Sequence, residues 1–282
     1  MMQRRAGKVR ADELVVARGL AESRARAQAL ILAGDVRSGD LPIRKPAELL
    51  LPDAPLDLRA VPPFVSRGGL KLQHALDAFG IDVHGRVAAD LGASTGGFTD
   101  CLLQRGAMRV YAIDVGYGQL DHRLRSDERV VVMERVNARN LESLPEPVTI
   151  ISADLSFISL RLVLPAMRRL LQPGGDLVTL VKPQFEAGRE LVSKGGVVRD
   201  PRVRRAVTAA VLADALAVGL HARGVVASPL IGPAGNHEFL AWFQAGDAVM
   251  AAEDAERMLA SEPSGKDALA QFGELLHDVA WE

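Results

Sequence analysis

The stretch that most constrains the fold runs from Val87 to Leu103 and has the pattern of an apolar strand, a glycine-rich turn and the start of a helix. Glycines at Gly92, Gly96 and Gly97 allow the backbone to turn sharply and a ligand to approach it closely. The helix that follows presents unpaired N–H groups and the positive end of its dipole at the same place. The stretch therefore predicts a loop that holds an adenosine-containing cofactor, without deciding which one.

From Val87 onward, apolar strands alternate with helices. Strands are predicted at 87–91, 109–114, 130–132, 148–154 and 176–181, with two more near Val225 and Phe239, and helices at 99–105, 160–171 and 200–217. Two of the strands end on carboxylates, Asp114 and Asp154, and the fifth is followed by Lys182. This alternation predicts a doubly wound α/β sheet that binds its ligand at the carboxyl ends of the strands.

The spacing inside the loop separates two possible cofactors. A dinucleotide site requires Gly-x-Gly-x-x-Gly with a pyrophosphate at the helix N-terminus, whereas this chain has an acid, Asp90, two residues before Gly92. S-adenosylmethionine (AdoMet) has no phosphate, and its methionine amine suits a carboxylate at Asp90, directly or through water. Asp114 is then placed to accept hydrogen bonds from the two ribose hydroxyls. We therefore predict a Rossmann-like class I AdoMet-dependent methyltransferase sheet whose cofactor-binding residues are Asp90, Gly92, Ala93, Ser94, Gly96, Gly97, Phe98, Asp114 and Asp154.

The N-terminal segment has a different character. Its first 26 residues carry seven basic and three acidic side chains, and two short helices are predicted at 11–20 and 24–33, the second capped by Ser23. The charges fit either a solvated helical face or a surface that contacts phosphates. The pattern of residues 10–36 resembles the S4 RNA-binding domain, a small α+β fold that docks on structured RNA. The candidate RNA contacts are Arg4, Arg5, Arg10, Arg18, Arg24, Arg26 and, beyond this segment, Arg67.

Two prolines, Pro62 and Pro63, mark a stiff linker between domains. The predicted organisation is an S4-like domain at 1–60 and a methyltransferase domain at 61–246. The alanine-rich, polar segment at 247–282 is predicted to be a loosely held helix or disordered.

Composition limits the classes of function and location that remain open to the chain. The 34 basic and 35 acidic residues give a net charge of −1, so any nucleic-acid interaction must depend on local patches. No apolar run approaches ~18 residues, so a membrane span is not expected, and with no signal sequence the expected location is the cytoplasm. The single cysteine, Cys101, excludes an internal disulfide and a cysteine-rich zinc site, and no metal is expected.

The motifs that the chain lacks limit the chemical groups that could accept the methyl. Enzymes that methylate the amino group of adenine typically carry an Asn/Asp-Pro-Pro-Tyr/Phe motif after the fourth strand. Here the fourth strand is followed by Asp154-Leu155-Ser156-Phe157. Cytosine C5 methylation needs a cysteine nucleophile, and Cys101 lies on the helix behind the loop, where we interpret it as a small core residue.

Four charged residues remain at the ends of predicted elements: Lys71, Asp154, Lys182 and Glu238. One interpretation is a structural network of ion pairs, because charged residues are seldom buried without partners. The other is a site that orients and deprotonates a ribose hydroxyl, since desolvation or a second cation makes a lysine side chain a usable base. In that interpretation Lys182 is the base or the hydroxyl-orienting group, Asp154 lies beside it, and Lys71 and Glu238 position the ribose.

Long motifs in this chain resemble the TlyA/hemolysin A family over residues 10–243. They are Ser66–Leu72, Asp90–Asp100, Asp114–Leu120, Asp154–Leu160, Val181–Gly188 and Gly235–Leu240. The resemblance implies an S4 domain joined to an FtsJ-like methyltransferase that methylates the cytidine ribose 2′-hydroxyl in 16S ribosomal RNA, in 23S ribosomal RNA or in both. It also implies a Lys-Asp-Lys-Glu tetrad at the four residues above. The expected partners are ribosomal RNA and ribosomal subunits, with no obligate protein partner. The alternatives are a ribosome-binding protein with a vestigial methyltransferase domain and a hemolysin-type membrane activity, after the name that some members carry.

Overall fold

The computed structural model describes residues 7–58, 62–246 and 265–282. The chain forms two compact units, Met1–Pro62 and Pro63–Glu282. The break between them falls at the proline pair, two residues beyond the end of the predicted first domain. Residues 59–61, which precede these prolines in the predicted linker, lie outside the described residues.

In its described residues, the first unit contains two helices and five short strands. They are β1 (Val9–Arg10), α1 (Ala11–Ala17), α2 (Arg24–Leu32), β2 (Val36–Ser38), β3 (Leu41–Pro42), β4 (Leu49–Leu50) and β5 (Asp57–Leu58). Ser23 Oγ accepts a hydrogen bond from the backbone N–H of Arg26 at 3.2 Å and caps α2 as predicted. Ala27 and Ile31 lie on the same side of α2 and pack with Val15 of α1 in a small core. The two predicted helices are confirmed, slightly shorter than expected, and the assignment to the S4 fold stays a prediction.

The second unit is built on a seven-stranded sheet. Its strands are β6 (Val87–Leu91), β7 (Arg109–Asp114), β8 (Val130–Glu134), β9 (Val148–Ala153), β10 (Leu171–Val181), β11 (Leu220–Ala227) and β12 (Phe239–Ala245). They lie in the order β11-β12-β10-β9-β6-β7-β8. β12 is antiparallel to both of its neighbours, and the other neighbouring pairs are parallel. The predicted doubly wound α/β fold is confirmed.

Helices cover both faces of this sheet. They are α3 (Gly68–Phe79), α4 (Gly97–Gln104), α5 (His122–Arg125), α6 (Leu164–Leu170), α7 (Pro183–Glu186) and α8 (Pro201–Ala217). All five residues of β6 are buried, and neighbouring residues point to opposite faces. Ala88 packs in a core with Leu72 of α3 and Leu102 of α4, whereas Ala89 packs in a second core with Leu212 of α8. A strand that is buried on both faces is apolar throughout, which explains the continuous Val-Ala-Ala run.

The position of β6 at the centre of the sheet determines where a ligand binds. From β6 the chain proceeds to β7 and β8 on one side, and then crosses to β9, β10 and β12 on the other. The loops that follow β6 and β9 therefore diverge and leave a crevice at the carboxyl ends of these strands, where open α/β sheets bind their ligands.

One predicted helix is divided in two. The sequence pattern predicted a helix at 160–171, but the structure has a 3-10 turn at Leu160–Leu162 followed by α6. Pro165 lies at the start of α6, lacks an N–H donor and sterically blocks continuation of the preceding turn. The expectation of a single helix was wrong because this proline starts a new helix.

The C-terminal residues 265–282 pack against the second unit. Helix α9 (Gly265–Gln271) contacts α8, and Ala268, Phe272 and Leu276 recur at helical spacing in the core. The ring of Trp281 lies 4.5 Å from that of Phe239, measured between centroids. The expectation of a loosely held tail is wrong for these residues, because their apolar side chains are buried on the sheet; residues 247–264 lie outside the described part of the chain.

Candidate active site

Two adjoining cavities open at the carboxyl ends of the central strands. The first, of about 450 Å³, lies between the loops that follow β6, β7 and β9. The second, of about 540 Å³, lies between the β6 loop, the start of α3 and the ends of β9 and β10. Four residues line both: Gly92, Ser94, Asp154 and Ser156. We call them the donor cavity and the acceptor cavity, and the four shared residues the junction.

The donor cavity combines an apolar slot with a strand-end carboxylate. Ile113, Val136 and Leu155 contribute apolar side chains to its lining. Asp114 accepts hydrogen bonds from the backbone N–H groups of Ser94 at 2.8 Å and Gly116 at 2.7 Å. These two bonds fix the carboxylate between the β6 loop and the β7 loop, where it is placed to bind a pair of hydroxyl groups.

Gly92 is required by the close approach of two loops. Its φ is +83°, and a Cβ added there would lie 2.6 Å from the carbonyl oxygen of Asp154. A side chain at this position would be strained and would also push the loop away from β9. The glycine thus allows the β6 loop to lie directly against the backbone of Asp154.

The remaining predicted cofactor-binding residues have different positions. Ala93, Gly97 and Phe98 line the acceptor cavity rather than the donor cavity. A Cβ on Gly97 would lie 2.2 Å from Ser66 Oγ, so this glycine allows α4 to pack closely against the start of α3. Gly96 faces Leu124 and lies outside both cavities.

Asp90 is completely buried beneath the loop. Its carboxylate accepts hydrogen bonds from Thr99 Oγ1 at 2.7 Å and Ser152 Oγ at 3.1 Å. Burial raises the pKa of Asp90 to about 7, although these hydrogen bonds oppose the shift. Asp90 thus joins β6 to α4 and β9 and supports the loop from below. Its contact with the methionine amine, directly or through water, stays a prediction.

The acceptor cavity brings together the four charged residues singled out from the sequence. Lys71 Nζ lies 2.5 Å from Glu238 Oε2, and both side chains are buried, with 8% and 4% of their surface exposed. Lys182 Nζ lies 2.6 Å from Asp154 Oδ1. All four residues line the cavity. The elements that carry them are far apart in the chain, so the sheet topology alone brings them together.

Two site residues were missed by the sequence reasoning, although both lie in the Asp154-Leu155-Ser156-Phe157 motif. Ser156 Oγ accepts a hydrogen bond from Lys182 Nζ at 2.8 Å. Phe157 adopts a left-handed φ of +64° and is 90% exposed at the rim of the donor cavity. Its ring lies 5.3 Å from that of Phe185. Because it is exposed, the ring of Phe157 does not belong to the core and is accessible at the rim.

Cys101 lies in the core behind the β6 loop, as interpreted from the sequence. Burial raises the pKa of its thiol to about 12, so it is not available as a nucleophile. Among the described residues, no group of three histidine, cysteine, aspartate or glutamate side chains is arranged to hold a metal ion. No helix in that part of the chain is long and apolar enough to cross a membrane.

The predicted RNA-contacting arginines differ in their surroundings. Arg10 and Arg24 both donate to the buried carboxylate of Asp12, at 2.9 and 3.0 Å, and these bonds, chiefly that from Arg10, hold the pKa of Asp12 well below its usual range. Arg18 donates to the carbonyl oxygen of Pro52, and Arg26 is exposed. Arg67 lines the acceptor cavity, whereas Arg4 and Arg5 lie outside the described residues.

The donor cavity fits AdoMet. Asp114 presents its carboxylate to the cavity, and an apolar slot suits an adenine ring. With the strand order and the antiparallel β12, these features define a class I AdoMet-dependent methyltransferase. A family model described as FtsJ-like methyltransferase matches residues 64–245, and the chain belongs to this family.

Individual relatives extend the similarity beyond this domain. The chain is 51% identical over 240 residues to the putative rRNA methyltransferase YqxC of Bacillus subtilis (strain 168), covering 83% of this chain and 84% of the relative. It is 50% identical over 246 residues to the 16S/23S rRNA (cytidine-2′-O)-methyltransferase TlyA of Mycobacterium tuberculosis (strain ATCC 25618 / H37Rv), covering 85% and 91%. A solved structure, a putative hemolysin from Streptococcus thermophilus, has a TM-score of 0.66 at 39% identity and covers 95% of this chain and 99% of that chain. The resemblance to the TlyA/hemolysin A family is confirmed.

Proposed function

We propose that this enzyme methylates the ribose 2′-hydroxyl of a cytidine in ribosomal RNA through Lys71, Asp154, Lys182 and Glu238. The observation that carries the proposal is the convergence of these four side chains in one cavity that joins the AdoMet cavity at the junction. The names of the 50–51% identical relatives support ribosomal RNA as the substrate. Such a substrate also agrees with the cytoplasmic location predicted from the sequence.

The chemistry requires an acceptor oxygen at the junction. Bound AdoMet supplies an electrophilic methyl group on a sulfonium. Lys182 in its neutral form would accept the proton of the 2′-hydroxyl, and the oxygen would then take the methyl group that AdoMet would supply, with the thioether as the leaving group. Asp154 holds Nζ of Lys182 from one side at 2.6 Å, and stabilises the ammonium that results from the proton transfer.

The buried pair of Lys71 and Glu238 positions the ribose on the far wall of the cavity. Each member neutralises the other, so the cavity keeps polar groups aimed at the sugar without an uncompensated buried charge. The ring of Phe157, at the rim of the donor cavity, contacts that of Phe185, which lies 5.9 Å from Lys182 Nζ. In this proposal the aromatic pair stacks on the base whose ribose enters the acceptor cavity. A nucleotide inside folded RNA must leave its stack to reach this position, at a cost of a few kcal/mol.

The basic N-terminal unit supplies affinity for RNA in this proposal. Arg18 and Arg26 are exposed and able to contact phosphates. Arg10 and Arg24 are also proposed contacts, but much of their charge is compensated by Asp12 and Glu13.

Substitution of Lys182 tests the proposal. Lys182→Ala is expected to bind AdoMet as tightly as the wild type in calorimetry but to transfer no tritiated methyl to isolated small or large ribosomal subunits. Lys194→Ala, which removes an exposed lysine outside both cavities, is the matched control and is expected to transfer normally. Normal transfer by Lys182→Ala would exclude this lysine as the base, and no transfer by the wild type would favour the binding-protein alternative. Mapping of 2′-O-methyl groups then identifies the nucleotide and subunit.

A further inference from the structure

Ser156 occupies the point where the two cavities meet. It follows Asp154 by two residues in the loop after β9, and it lines both the donor and the acceptor cavity. The next residue, Phe157, has a left-handed φ of +64° and lines the donor cavity only. The serine hydroxyl is therefore presented at the place where a methyl group would pass from one cavity to the other.

Two oxygens hold the amine of Lys182. Its Nζ lies 2.6 Å from Asp154 Oδ1 and 2.8 Å from Ser156 Oγ. Nζ is tetrahedral and is bonded to Cε, which leaves three positions. Ser156 accepts one N–H as a hydrogen bond, and the carboxylate of Asp154 attracts a second as an ion pair without hydrogen-bond geometry. The third position then has one direction, and it carries the lone pair when the lysine is neutral. With the ion pair to Asp154 alone, Nζ could rotate about the Cε–Nζ bond and the lone pair would sample other directions.

We propose that Ser156 is a positioning residue for Lys182, which aims the third position of Nζ at the acceptor hydroxyl. The proposal rests on the proposed function of Lys182 as the base. The charged groups that share the acceptor cavity with Lys182 are Asp154, the pair of Lys71 and Glu238, and Arg67. Of these, only Asp154 forms an ion pair with Nζ among the contacts of the described residues, so the hydrogen bond to Ser156 provides the second of the two fixed directions.

The first test separates turnover from cofactor binding. Ser156→Ala is expected to lower kcat for methyl transfer to ribosomal subunits by on the order of tenfold, as expected for loss of a hydrogen bond to an ionisable group. The dissociation constant for AdoMet should stay within about twofold of the wild type. Ser156→Thr retains the hydroxyl at an exposed position and should restore most of kcat. Ser126→Ala, at an exposed turn after α5, is the matched control. A kcat of Ser156→Ala within twofold of the wild type would refute the proposal.

The second test measures the chemical reactivity of the Lys182 amine directly and needs no methyl transfer. Trace acetylation with acetic anhydride at fixed pH, followed by mass spectrometry, compares the labelling of Lys182 with that of Lys194 as an internal reference. Loss of the Ser156 contact should increase the relative labelling of Lys182 severalfold, because Nζ is less restrained. If the wild type transfers no methyl but the labelling changes, the proposed function fails and the contact with Ser156 stands. Unchanged labelling would overturn the positioning role whatever the activity.

Discussion

The buried pair of Lys71 and Glu238 makes a prediction about stability that is separate from catalysis. Lys71→Met keeps the apolar stem but removes the ammonium that lies 2.5 Å from Glu238 Oε2. Glu238 has only 4% of its surface exposed, so solvent cannot replace the lost partner. Removing one member of a buried ion pair costs about 3–5 kcal/mol. For a domain of this size each kcal/mol lowers Tm by about 2–4 °C, so a decrease of roughly 6–20 °C is expected.

Tryptophan fluorescence during urea unfolding measures the loss of stability of the second unit specifically. Both tryptophans, Trp242 and Trp281, lie in the second unit, so the transition reports that unit even if the first unfolds separately. The matched control is Arg105→Met, which breaks a pair of similar length, 2.6 Å to Asp77, whose side chains are 30% and 59% exposed. Solvent screens that pair, and its loss should cost about 0.2–1 kcal/mol.

A double variant, Lys71→Met with Glu238→Leu, distinguishes stability from function. Replacing a buried ion pair by apolar side chains of similar volume is often neutral, so most of the stability should return. Methyl transfer should be absent in both the single and the double variant, because the polar wall of the acceptor cavity is lost. A loss of less than about 1 kcal/mol in Lys71→Met would show that the pair is solvated in solution, and would refute the reasoning from burial.

Two further predictions concern the β6 loop. Gly92→Ala should weaken AdoMet binding by more than tenfold in calorimetry, whereas the control Gly174→Ala should bind AdoMet normally. Both glycines have a positive φ, but an added Cβ meets the Asp154 carbonyl at Gly92 and open space at Gly174. Equal affinities of the two variants for AdoMet would contradict the close-approach argument. Because burial raises the pKa of Asp90 from 3.8 to about 7, the native state keeps this proton after the unfolded chain has lost it. The free energy of unfolding should therefore fall by about 3 kcal/mol between pH 4 and pH 7. Asp90→Asn should lack this component, and parallel urea-midpoint profiles for the two proteins would contradict the assigned shift.

Much of the second unit was predictable because its physical determinants are local. β6 and β7 have the predicted bounds, since continuous apolar runs that end at glycine or a carboxylate specify strands buried on both faces. The four charged residues of the acceptor cavity were also identified from the sequence, because each stands at the end of an element, and a doubly wound sheet gathers such ends at one edge. The roles assigned to those four residues remain predictions.

Other features depend on contacts that local patterns do not contain. Nothing in the sequence around Asp90 indicates that Thr99 and Ser152 occupy its carboxylate, because these partners come from α4 and β9. The charge count near the N-terminus likewise did not reveal that Arg10 and Arg24 share the buried Asp12. The C-terminal segment was expected to be loosely held because its composition is polar overall. That expectation overlooked apolar side chains at helical spacing, such as Phe272 and Leu276, which pack into the core.

The donor and acceptor sites are linked through the backbone rather than through flexible side chains. The N–H of Asp154 donates to the carbonyl oxygen of Leu91 at 3.0 Å, and the carbonyl oxygen of Asp154 fills the space that a side chain on Gly92 would need. The loop that shapes the donor cavity is therefore fixed against the residue that holds the amine of Lys182. Because methyl transfer is sensitive to displacements on the order of 1 Å, a rigid contact at this place would set the distance between methyl donor and base. A substitution that separates the two loops should accordingly reduce turnover even when both sites keep all of their side chains.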